Sequence, residues 1–329
     1  MSLPVRLSVV IATYRRPALL ARCLAAVSRQ AGCPPYEVVV ADDGCQQEVE
    51  RLVSALAAAP GGAGPVAWQY LAVPRTRGPA AARNAGWRMA RGEVIAFTDD
   101  DTIADAAWLA QGWKTLEAVP DAAAAAGKVL VPLSRRPTDH ERNTGGLMDA
   151  EFVTANCFVR RAALERLGGF DERFQRAWRE DSDLHYRLLE HTLPVVAAGA
   201  ALVVHPVRPA RWGSSIAEQS KVYFDALLYK KHPLLYRRRI RARPPWHYYA
   251  STASVLLTVV AALAGRPALA GAAAAAWAAL TAAFCARRLR GTSHAPGHVV
   301  EMAATSALIP LCSVYWRLRG GLAFRTVFL

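Results

Sequence analysis

Three adjacent carboxylates, Asp99-Asp100-Asp101, follow an apolar run of the sequence. Neighbouring carboxylates repel one another and burial increases the repulsion, so a bound divalent cation would stabilise them. Oxygen ligands of this kind suit Mg2+ or Mn2+. In an extended segment, residues two apart point the same way, so Asp99 and Asp101 can share one face. A solvated acidic turn is the alternative interpretation.

Other residues that could take part in chemistry are two acidic pairs and one histidine. Asp42-Asp43 ends a second apolar run, and Glu180-Asp181 begins a helical pattern. A carboxylate can accept a proton from a nucleophile, although acids at such positions also serve turns and helix starts. His205 follows a short apolar run, where it is either a metal ligand or a structural residue.

Alternating β-rich and helical segments carry these residues. The pattern predicts strands over 7–12, 37–41, 66–72 and 94–98, and helices over 18–30, 48–59 and 79–91. Such alternation is typical of an α/β fold with a mostly parallel, doubly wound sheet. Ligands bind there at the carboxyl ends of the strands, so the acidic groups at 42–43 and 99–101 are expected to meet at one crevice.

The second half of the chain is more mixed. Strands are predicted over 123–131, 152–159, 194–198 and 201–204, and helices over 161–167 and 181–191. The polar stretch 134–149 contains Gly145-Gly146 and is interpreted as a mobile loop.

Positive charge is concentrated towards the end of the chain. The formal net charge is +14, yet residues 226–329 hold fourteen Lys and Arg and one acid, Glu301. Residues 1–225 are therefore nearly neutral. A nucleic-acid-binding domain would more often carry a basic face on its folded part. The basic segment is also apolar, so the pattern favours a membrane surface over nucleic acid as partner.

Two uncharged apolar stretches, 247–264 and 268–286, approach the roughly 20 residues that cross a bilayer. We predict a transmembrane hairpin over 247–286 after a basic neck at 226–246. The positive-inside rule places its flanks, and hence residues 1–225, at the cytoplasmic face of the cell membrane. The alternative is a pair of core helices. The segment 287–329 contains an apolar stretch at 299–316, predicted to lie on the membrane as an amphipathic helix.

The cysteines and the N-terminus agree with a cytoplasmic location. The six cysteines form no CxxC pair, which argues against a zinc knuckle and favours reduced thiols. The first apolar run is too short for the core of a signal peptide, so none is expected.

Nine motifs in order resemble family 2 glycosyltransferases over roughly residues 5–205. They are SVVIATY at 8–14, VVVADDG at 38–44, GPAAARNAG at 78–86, ARGE at 90–93, FTDDD at 97–101, TAN at 154–156, RRAAL at 160–164, GGFDE at 168–172 and EDSDL at 180–184. The resemblance implies a GT-A fold over 1–225, with a nucleotide-binding half (1–101) and an acceptor-binding half (102–225). It also implies inverting, metal-dependent transfer from a nucleotide-sugar.

The resemblance also assigns roles to single residues. Asp181 is the expected general base, supported by Glu180, and the metal site is expected at Asp99, Asp101 and His205, with Mn2+ or Mg2+. The donor-binding residues expected from the motifs are Ala12, Tyr14, Asp43, Arg77, Arg83, Asp99 and Asp100. Asn156 and Trp178 are expected to bind the acceptor. Ordinary surface charge is the alternative interpretation of Arg77 and Arg83.

The expected acceptor is lipid-linked or membrane-proximal, in the synthesis of a cell-envelope or polysaccharide glycan. Arg211-Trp212 lacks the upstream Gln of the Gln-x-x-Arg-Trp signature of processive synthases, and the spans are too few for a translocation channel, so single-sugar addition is expected. Two alternatives are a sugar nucleotidyltransferase and a non-catalytic membrane scaffold. The former usually has a Gly-rich loop after the first strand, where this chain has none. The intact carboxylates argue against the latter.

Overall fold

The computed structural model describes residues 4–58, 64–65, 67–74 and 78–329. The chain divides into two compact units. One comprises Met1–Pro132 and Gly145–Val207, and the other comprises Leu133–Thr144 and Arg208–Leu329. The predicted boundary at residue 225 therefore falls inside the second unit. Arg77, a predicted donor-binding residue, lies outside the described residues.

One mixed sheet forms the centre of the first unit. Its strands are β1 (Leu7–Thr13), β2 (Tyr36–Asp42), β3 (Ala67–Ala72), β4 (Val94–Asp99), β5 (Ile103–Ala104), β6 (Ala124–Leu130), β7 (Asn156–Arg160) and β8 (Val195–Val204). Their order is β3-β2-β1-β4-β7-β6-β8-β5. The pairs among β1 to β4 and the pair β6–β8 are parallel, whereas β7 and β5 run antiparallel to their neighbours. The predicted α/β class is confirmed.

The central strands align the acidic groups because of their composition and register. β2 is buried along its whole length, and β1 at all but one residue, as expected for parallel strands covered by helices on both faces. Thr13 pairs with Asp42, and Ala12 pairs with Asp99. The carboxyl ends of β1, β2 and β4 are therefore level, as the predicted crevice requires.

Thirteen α-helices lie in the described part of the chain. They are α1 (Pro17–Val27), α2 (Gln47–Ala58), α3 (Pro79–Met89), α4 (Trp108–Ala118), α5 (Asp139–Gly145), α6 (Arg161–Leu167), α7 (Glu180–Glu190), α8 (Ser214–Glu218), α9 (Val222–Lys231), α10 (Pro233–Arg239), α11 (Trp246–Leu263), α12 (Pro267–Leu289) and α13 (Pro296–Phe324). Proline stands in the first turn of α1 and α3, where its missing N–H costs nothing. Helix α4 was not predicted; it buries Trp108, Leu109 and Leu116.

The stretch 134–149 is structured, contrary to the predicted mobile loop. It contains α5 and a 3-10 turn over Gly146–Asp149. The Glu141 carboxylate accepts a 2.6 Å hydrogen bond from the backbone N–H of Thr138, whose hydroxyl accepts one from the Glu141 N–H. This reciprocal pair is a capping box, and the spacing Thr-x-x-Glu that produces it was visible in the sequence.

Two predicted strand boundaries also change. The strand predicted over 152–159 begins only at Asn156. The two strands predicted over 194–198 and 201–204 form one strand, β8, whose pairing with β6 shifts register between Gly127 and Lys128. The shift accommodates extra residues in β8, which the sequence pattern showed as a break.

Helices dominate the second unit. Helices α11 and α12 pack as an antiparallel hairpin, since the ring of Tyr248 at the start of α11 lies 5.3 Å from that of Phe284 near the end of α12. By length and composition, α12 and α13 could each cross a membrane. Leu256, Val260 and Leu263 of α11 are exposed, so the hairpin presents an apolar surface.

A buried polar cluster connects α5 to the helices of the same unit. Arg288 at the end of α12 binds the Asp139 carboxylate at 2.8 Å and also donates to the hydroxyl of Thr305 in α13. The Nε2 atom of His298 accepts a 3.0 Å hydrogen bond from the Asp139 N–H. Asp139 and Arg288 are both almost fully buried. The charge of each is thus compensated inside the unit, as burial requires.

Candidate active site

Two carboxylates and an imidazole meet at the carboxyl edge of the sheet. Asp99 ends β4, Asp101 lies in the following turn, and His205 follows β8. One ligand atom from each of the three residues lies within 4.8 Å of the others. β5 pairs with the end of β8, and this pairing brings His205 Nε2 to 3.4 Å from Asp101 Oδ1.

This set of donors suits a divalent metal ion. Aspartate oxygens and an imidazole nitrogen are ligands for Mn2+ and related ions. His205 is 7% exposed, and its Nδ1 atom has no hydrogen-bond partner among the described residues. A buried ring nitrogen without a partner costs free energy, which a ligand at this position would recover. The predicted trio of Asp99, Asp101 and His205 is therefore assembled as a candidate metal site.

Arg83 connects Asp99, of the candidate metal site, to Glu180, the neighbour of the predicted base. It lies on α3, is 3% exposed, and donates from Nη2 to Asp99 at 2.8 Å and from Nη1 to Glu180 at 2.9 Å. Glu180 begins α7 and is also buried. Both side chains are thus fixed by a fork of charge-assisted hydrogen bonds. The guanidinium is occupied by these two acids, so any contact of Arg83 with a donor would be additional to them.

Asp181 is placed beside this pair at the start of α7. Its Oδ1 atom accepts a 2.6 Å hydrogen bond from the Ser182 N–H. Burial raises the pKa of Asp181 and of Glu180, and Arg83 opposes the rise in both. Arg179, which precedes them, has φ 77°, a left-handed conformation that is uncommon for a residue with a side chain. A carboxylate with a raised pKa is suited to accept a proton.

The two aspartates at the end of β2 have different roles. Asp42 accepts hydrogen bonds from the N–H groups of Gly44 and Gln46, at 2.8 and 2.6 Å, and so fixes the turn before α2. Asp43 is half-buried and accepts a backbone hydrogen bond from Gly78; burial raises its pKa. Asp43 is therefore the member of the pair that retains accessible carboxylate surface, as a base-binding role requires.

Asp100 faces away from the metal trio and into the turn after β1. Its Oδ2 atom accepts a 2.7 Å hydrogen bond from Thr13, and Arg16 lies 3.3 Å from Oδ1. Burial raises the pKa of Asp100, and Arg16 and Thr13 oppose the rise. Sequence reasoning missed Thr13 and Arg16, although the polar run after β1 was a visible signal. Through these contacts with Asp100, Thr13 and Arg16 connect the carboxyl end of β1 to the turn after β4.

The remaining predicted donor and acceptor residues differ in exposure. Ala12 is half-buried at the end of β1, and Tyr14 is 51% exposed just beyond it. Trp178 is half-buried, and the guanidinium of Arg179 lies 4.4 Å from its ring centre. Tyr14 and Trp178 thus offer aromatic surface that a nucleobase or a sugar could contact.

Asn156 is not placed for acceptor binding. Its side chain is fully buried; the amide oxygen accepts from Trp108 Nε1 at 2.8 Å, and the amide nitrogen donates to the carbonyls of Lys128 and Ala201. These bonds hold β6, β7 and β8 near their register shift. Every donor of the amide is already used, so the structure assigns Asn156 a structural role instead.

Asn84, next to Arg83, is a structural residue that the roles inferred from sequence left out. Its amide accepts from Trp87 and from the Phe170 N–H, and donates to the Phe170 carbonyl. Gly169 adopts φ 76°, and a Cβ there would lie 2.3 Å from the Asn84 oxygen. Two neighbouring residues of α3 thus contact two downstream segments. Arg83 binds Glu180, and Asn84 binds Phe170 next to Gly169.

The part of the chain that carries this site is similar to known proteins. Residues 8–178 match the model of glycosyl transferase family 2, and residues 94–287 match that of glycosyl transferase family group 2. The chondroitin synthase of Escherichia coli is 26% identical over 281 residues, covering 71% of this chain and 39% of that protein. The hyaluronan synthase of Pasteurella multocida is 24% identical, covering 71% and 28%. The chain therefore spans less than half the length of these two relatives.

A solved structure is similar over almost the whole chain. The mannosyltransferase PcManGT from Pyrobaculum calidifontis, in complex with GDP-Man and Mn2+, gives a TM-score of 0.59 at 20% identity, covering 95% of this chain and 88% of that one. At this identity the likeness concerns the fold.

Proposed function

The chain belongs to glycosyl transferase family 2, has the GT-A fold and is a glycosyltransferase, and from this premise we propose that it transfers a sugar from a nucleotide-sugar donor with inversion, assisted by a divalent metal. One observation carries the proposal. A metal-ligand trio at the strand ends is joined through buried Arg83 to the carboxylate pair at the start of α7. Family membership selects glycosyl transfer over nucleotidyl transfer and over a non-catalytic scaffold.

In this proposal the donor occupies the carboxyl edge of β1, β2 and β4. Asp43 accepts a hydrogen bond from a nucleobase N–H, and the exposed ring of Tyr14 contacts the nucleoside. Asp99, Asp101 and His205 hold Mn2+ or Mg2+, which when bound neutralises charge on the diphosphate. The PcManGT structure contains Mn2+ and a nucleotide-sugar, which supports the proposal by analogy of fold.

Asp181 is the proposed general base. It takes the proton of the acceptor hydroxyl as the new bond from oxygen to the anomeric carbon forms and the bond to the nucleoside diphosphate breaks. The proton ends on Asp181 and the bonding electrons leave with the diphosphate, so the configuration inverts. Arg83 holds Glu180, which in turn fixes the start of α7 and the position of Asp181. Trp178 is the proposed acceptor contact.

We propose a glycan or lipid-linked acceptor at the cytoplasmic face of the membrane. Three features support membrane attachment: the exposed apolar residues of α11, the length and composition of α12 and α13, and the basic residues around them. The two relatives above are named as synthases of polysaccharides. We further propose addition of one sugar at a time, because Arg211-Trp212 lacks the upstream Gln of processive synthases.

The test is a screen of the full chain in detergent against nucleotide-sugars, with and without Mn2+. One donor is expected to be hydrolysed or transferred only when metal is present. Asp181→Asn is expected to lower the rate by about two to four orders of magnitude, because loss of a general base removes that much. Asp121→Asn, which changes an exposed acid, is the control and keeps the wild-type rate.

Two results would contradict the proposal. Equal activity in excess chelator would show that transfer does not need a metal. Full activity of Asp181→Asn would show that Asp181 is not the general base. Analysis of the product by NMR decides the stereochemistry, since inversion changes the anomeric configuration relative to the donor.

A further inference from the structure

Two arginines in the helical unit, one buried and one half-buried, have buried N–H groups that meet no acceptor among the described residues. Arg317 on α13 is 2% exposed, and its Nε and Nη1 atoms have no hydrogen-bond partner within the part of the chain that the structure describes. The same is true of the Nη1 atom of Arg237, on α10. Guanidinium groups are always charged, so burying them in this way costs free energy unless an anion is supplied.

The two guanidinium groups lie on neighbouring aromatic rings. Arg317 is 4.5 Å from the ring centre of Phe328, and Arg237 is 4.8 Å from that of Tyr229. The Tyr229 and Phe328 rings are themselves 5.4 Å apart. Cation–π contacts hold both cations in place but satisfy none of their N–H groups.

A third donor faces the same place. The hydroxyl oxygen of Tyr249, at the start of α11, lies close enough to Arg317 to accept a hydrogen bond from it, and its O–H group finds no acceptor among the described residues. Both Arg317 and Arg237 interact electrostatically with it. Two cations and a hydroxyl donor thus converge on one place.

Nearby acids are engaged elsewhere. Asp225 accepts a hydrogen bond from the Tyr236 hydroxyl, and Asp139 pairs with Arg288. The acceptor that complements the cluster is therefore expected from outside the chain. A phosphate group fits, because it offers several oxygens to two arginine forks and a hydroxyl.

We propose that Arg237, Arg317 and Tyr249 form a binding site for a phosphate group. The site lies at the basic end of the α11–α12 hairpin, where Tyr248 contacts Phe284 close to Arg287. This is the level of lipid headgroups if the hairpin inserts in a bilayer, so a lipid phosphate is one source and free phosphate the other. The chain segment after α13 covers the site: Phe328 lies over Arg317, and the main-chain oxygen of Leu329 accepts a 3.4 Å hydrogen bond from Arg237. We expect a bound phosphate group to displace Phe328 and Leu329 from the site.

The test uses the full chain in detergent and follows its thermal unfolding midpoint by tryptophan fluorescence. Dihexanoyl phosphatidic acid, dihexanoylglycerol (the same acyl chains without phosphate) and inorganic phosphate are titrated separately. Phosphatidic acid is expected to raise the midpoint with a saturable dose dependence, whereas dihexanoylglycerol is not. An equal response to inorganic phosphate assigns the site to free phosphate, and a response to phosphatidic acid alone assigns it to lipid.

Matched variants locate the response. Arg317→Gln and Arg237→Gln are each expected to weaken the apparent affinity at least tenfold. Arg319→Gln and Arg238→Gln remove the same charge from exposed neighbours on the same two helices and are expected to bind as wild type does. Equal loss in the exposed variants, retention of binding in both buried-site variants, or no response of the wild-type chain to any phosphate compound would overturn the site.

The midpoint without ligand separates binding from a structural role. Because the buried Nε and Nη1 groups of Arg317 meet no acceptor among the described residues, Arg317→Gln is expected to unfold at the wild-type temperature or above it. A markedly lower midpoint with an intact phosphate response would make Arg317 structural and overturn the proposal. If that variant does not fold, the half-buried Arg237 decides: an unchanged response in Arg237→Gln contradicts the site.

Discussion

Asp181 is half-buried at the start of α7, and this partial burial has a consequence for the pH dependence of transfer. The base works only when ionised, and burial raises its pKa. Activity is therefore expected to be full above that raised pKa and to fall tenfold per pH unit below it. The acid limb of kcat/KM should lie above about 3.9, the value for an ordinary aspartate.

A pH–rate profile checks this expectation. The acid limb belongs to the Glu180 and Asp181 pair rather than to one residue, because the Asp181 carboxylate interacts with that of Glu180 and raises its pKa. Asp121→Asn should reproduce the wild-type profile. A limb at or below the ordinary aspartate value would show that burial does not control the base.

His205 offers a second prediction at the scale of single residues. If its imidazole completes the site of Asp99 and Asp101, His205→Gln should raise the apparent dissociation constant for Mn2+ about tenfold or more. Electron paramagnetic resonance of free Mn2+ measures this without substrate. His191→Gln, which changes an exposed histidine, should leave the constant unchanged; an unchanged constant in His205→Gln would make that residue structural.

The sequence motifs located the acidic residues but not their partners. Asp99, Asp101 and Asp181 were predicted because their motifs, FTDDD and EDSDL, match those of family 2 glycosyltransferases in order and spacing. The ion pair between Arg83 and Glu180 joins residues 97 positions apart, so only the fold reveals it. Asn156 shows the opposite limit. Its motif position suggested a ligand contact, but burial and three internal hydrogen bonds decide its role, and no short motif encodes burial.

At the scale of elements, α13 can either span the membrane or lie on it. Its residue Thr305 contacts Arg288 at the end of α12, and its residue Arg317 lies beside Tyr249 at the start of α11. Both contacts are with the basic end of the hairpin. A helix antiparallel to α12 across the bilayer would make only one of them. We therefore propose that α13 lies along the membrane surface.

Cysteine labelling distinguishes the two arrangements. The exposed residues Val300 and Leu322 lie near opposite ends of α13 and are replaced singly by cysteine in a chain without native cysteines. An impermeant maleimide should label both from the cytoplasmic side in the surface arrangement. Gly265→Cys in the hairpin turn should label only from the other side. Labelling of positions 300 and 322 from opposite sides would show that α13 spans.

Periodicity predicted most elements of the first unit, because buried parallel strands and amphipathic helices have distinct patterns. It failed at α4 of that unit and at α5, which lies mostly in the second unit. Helix α4 has no side-chain cap, no proline and no acid in its first turn to mark its start, and it buries two tryptophans. Helix α5 is polar and depends on its capping box and on Asp139, whose partner Arg288 lies 149 residues away. A polar segment of that length looks like a loop until its partner is known.

At the scale of the whole molecule, the charge asymmetry and the apolar hairpin predict how the chain associates with membranes. Electrostatic attachment is screened by salt, since the Debye length falls to about 3 Å at 1 M. An inserted hairpin is not released by screening. The chain is therefore expected to stay in the membrane fraction in 1 M NaCl and in alkaline carbonate, as followed by immunoblot. Release into the supernatant by salt alone would restrict the attachment to surface charge.

The polar cluster around Asp139 also has a consequence for the order of synthesis. The segment Leu133–Thr144 leaves the ribosome in the middle of the first unit but belongs to the second. At roughly 5–20 residues per second, the 149 residues between Asp139 and Arg288 take about 7–30 s to make. During that interval the Asp139 carboxylate can pair with Arg142, three residues along, but lacks its buried partner Arg288. The sheet of the first unit can form during this time. The segment that contains α5 is expected to stay accessible to proteases and chaperones until α12 and α13 have been made.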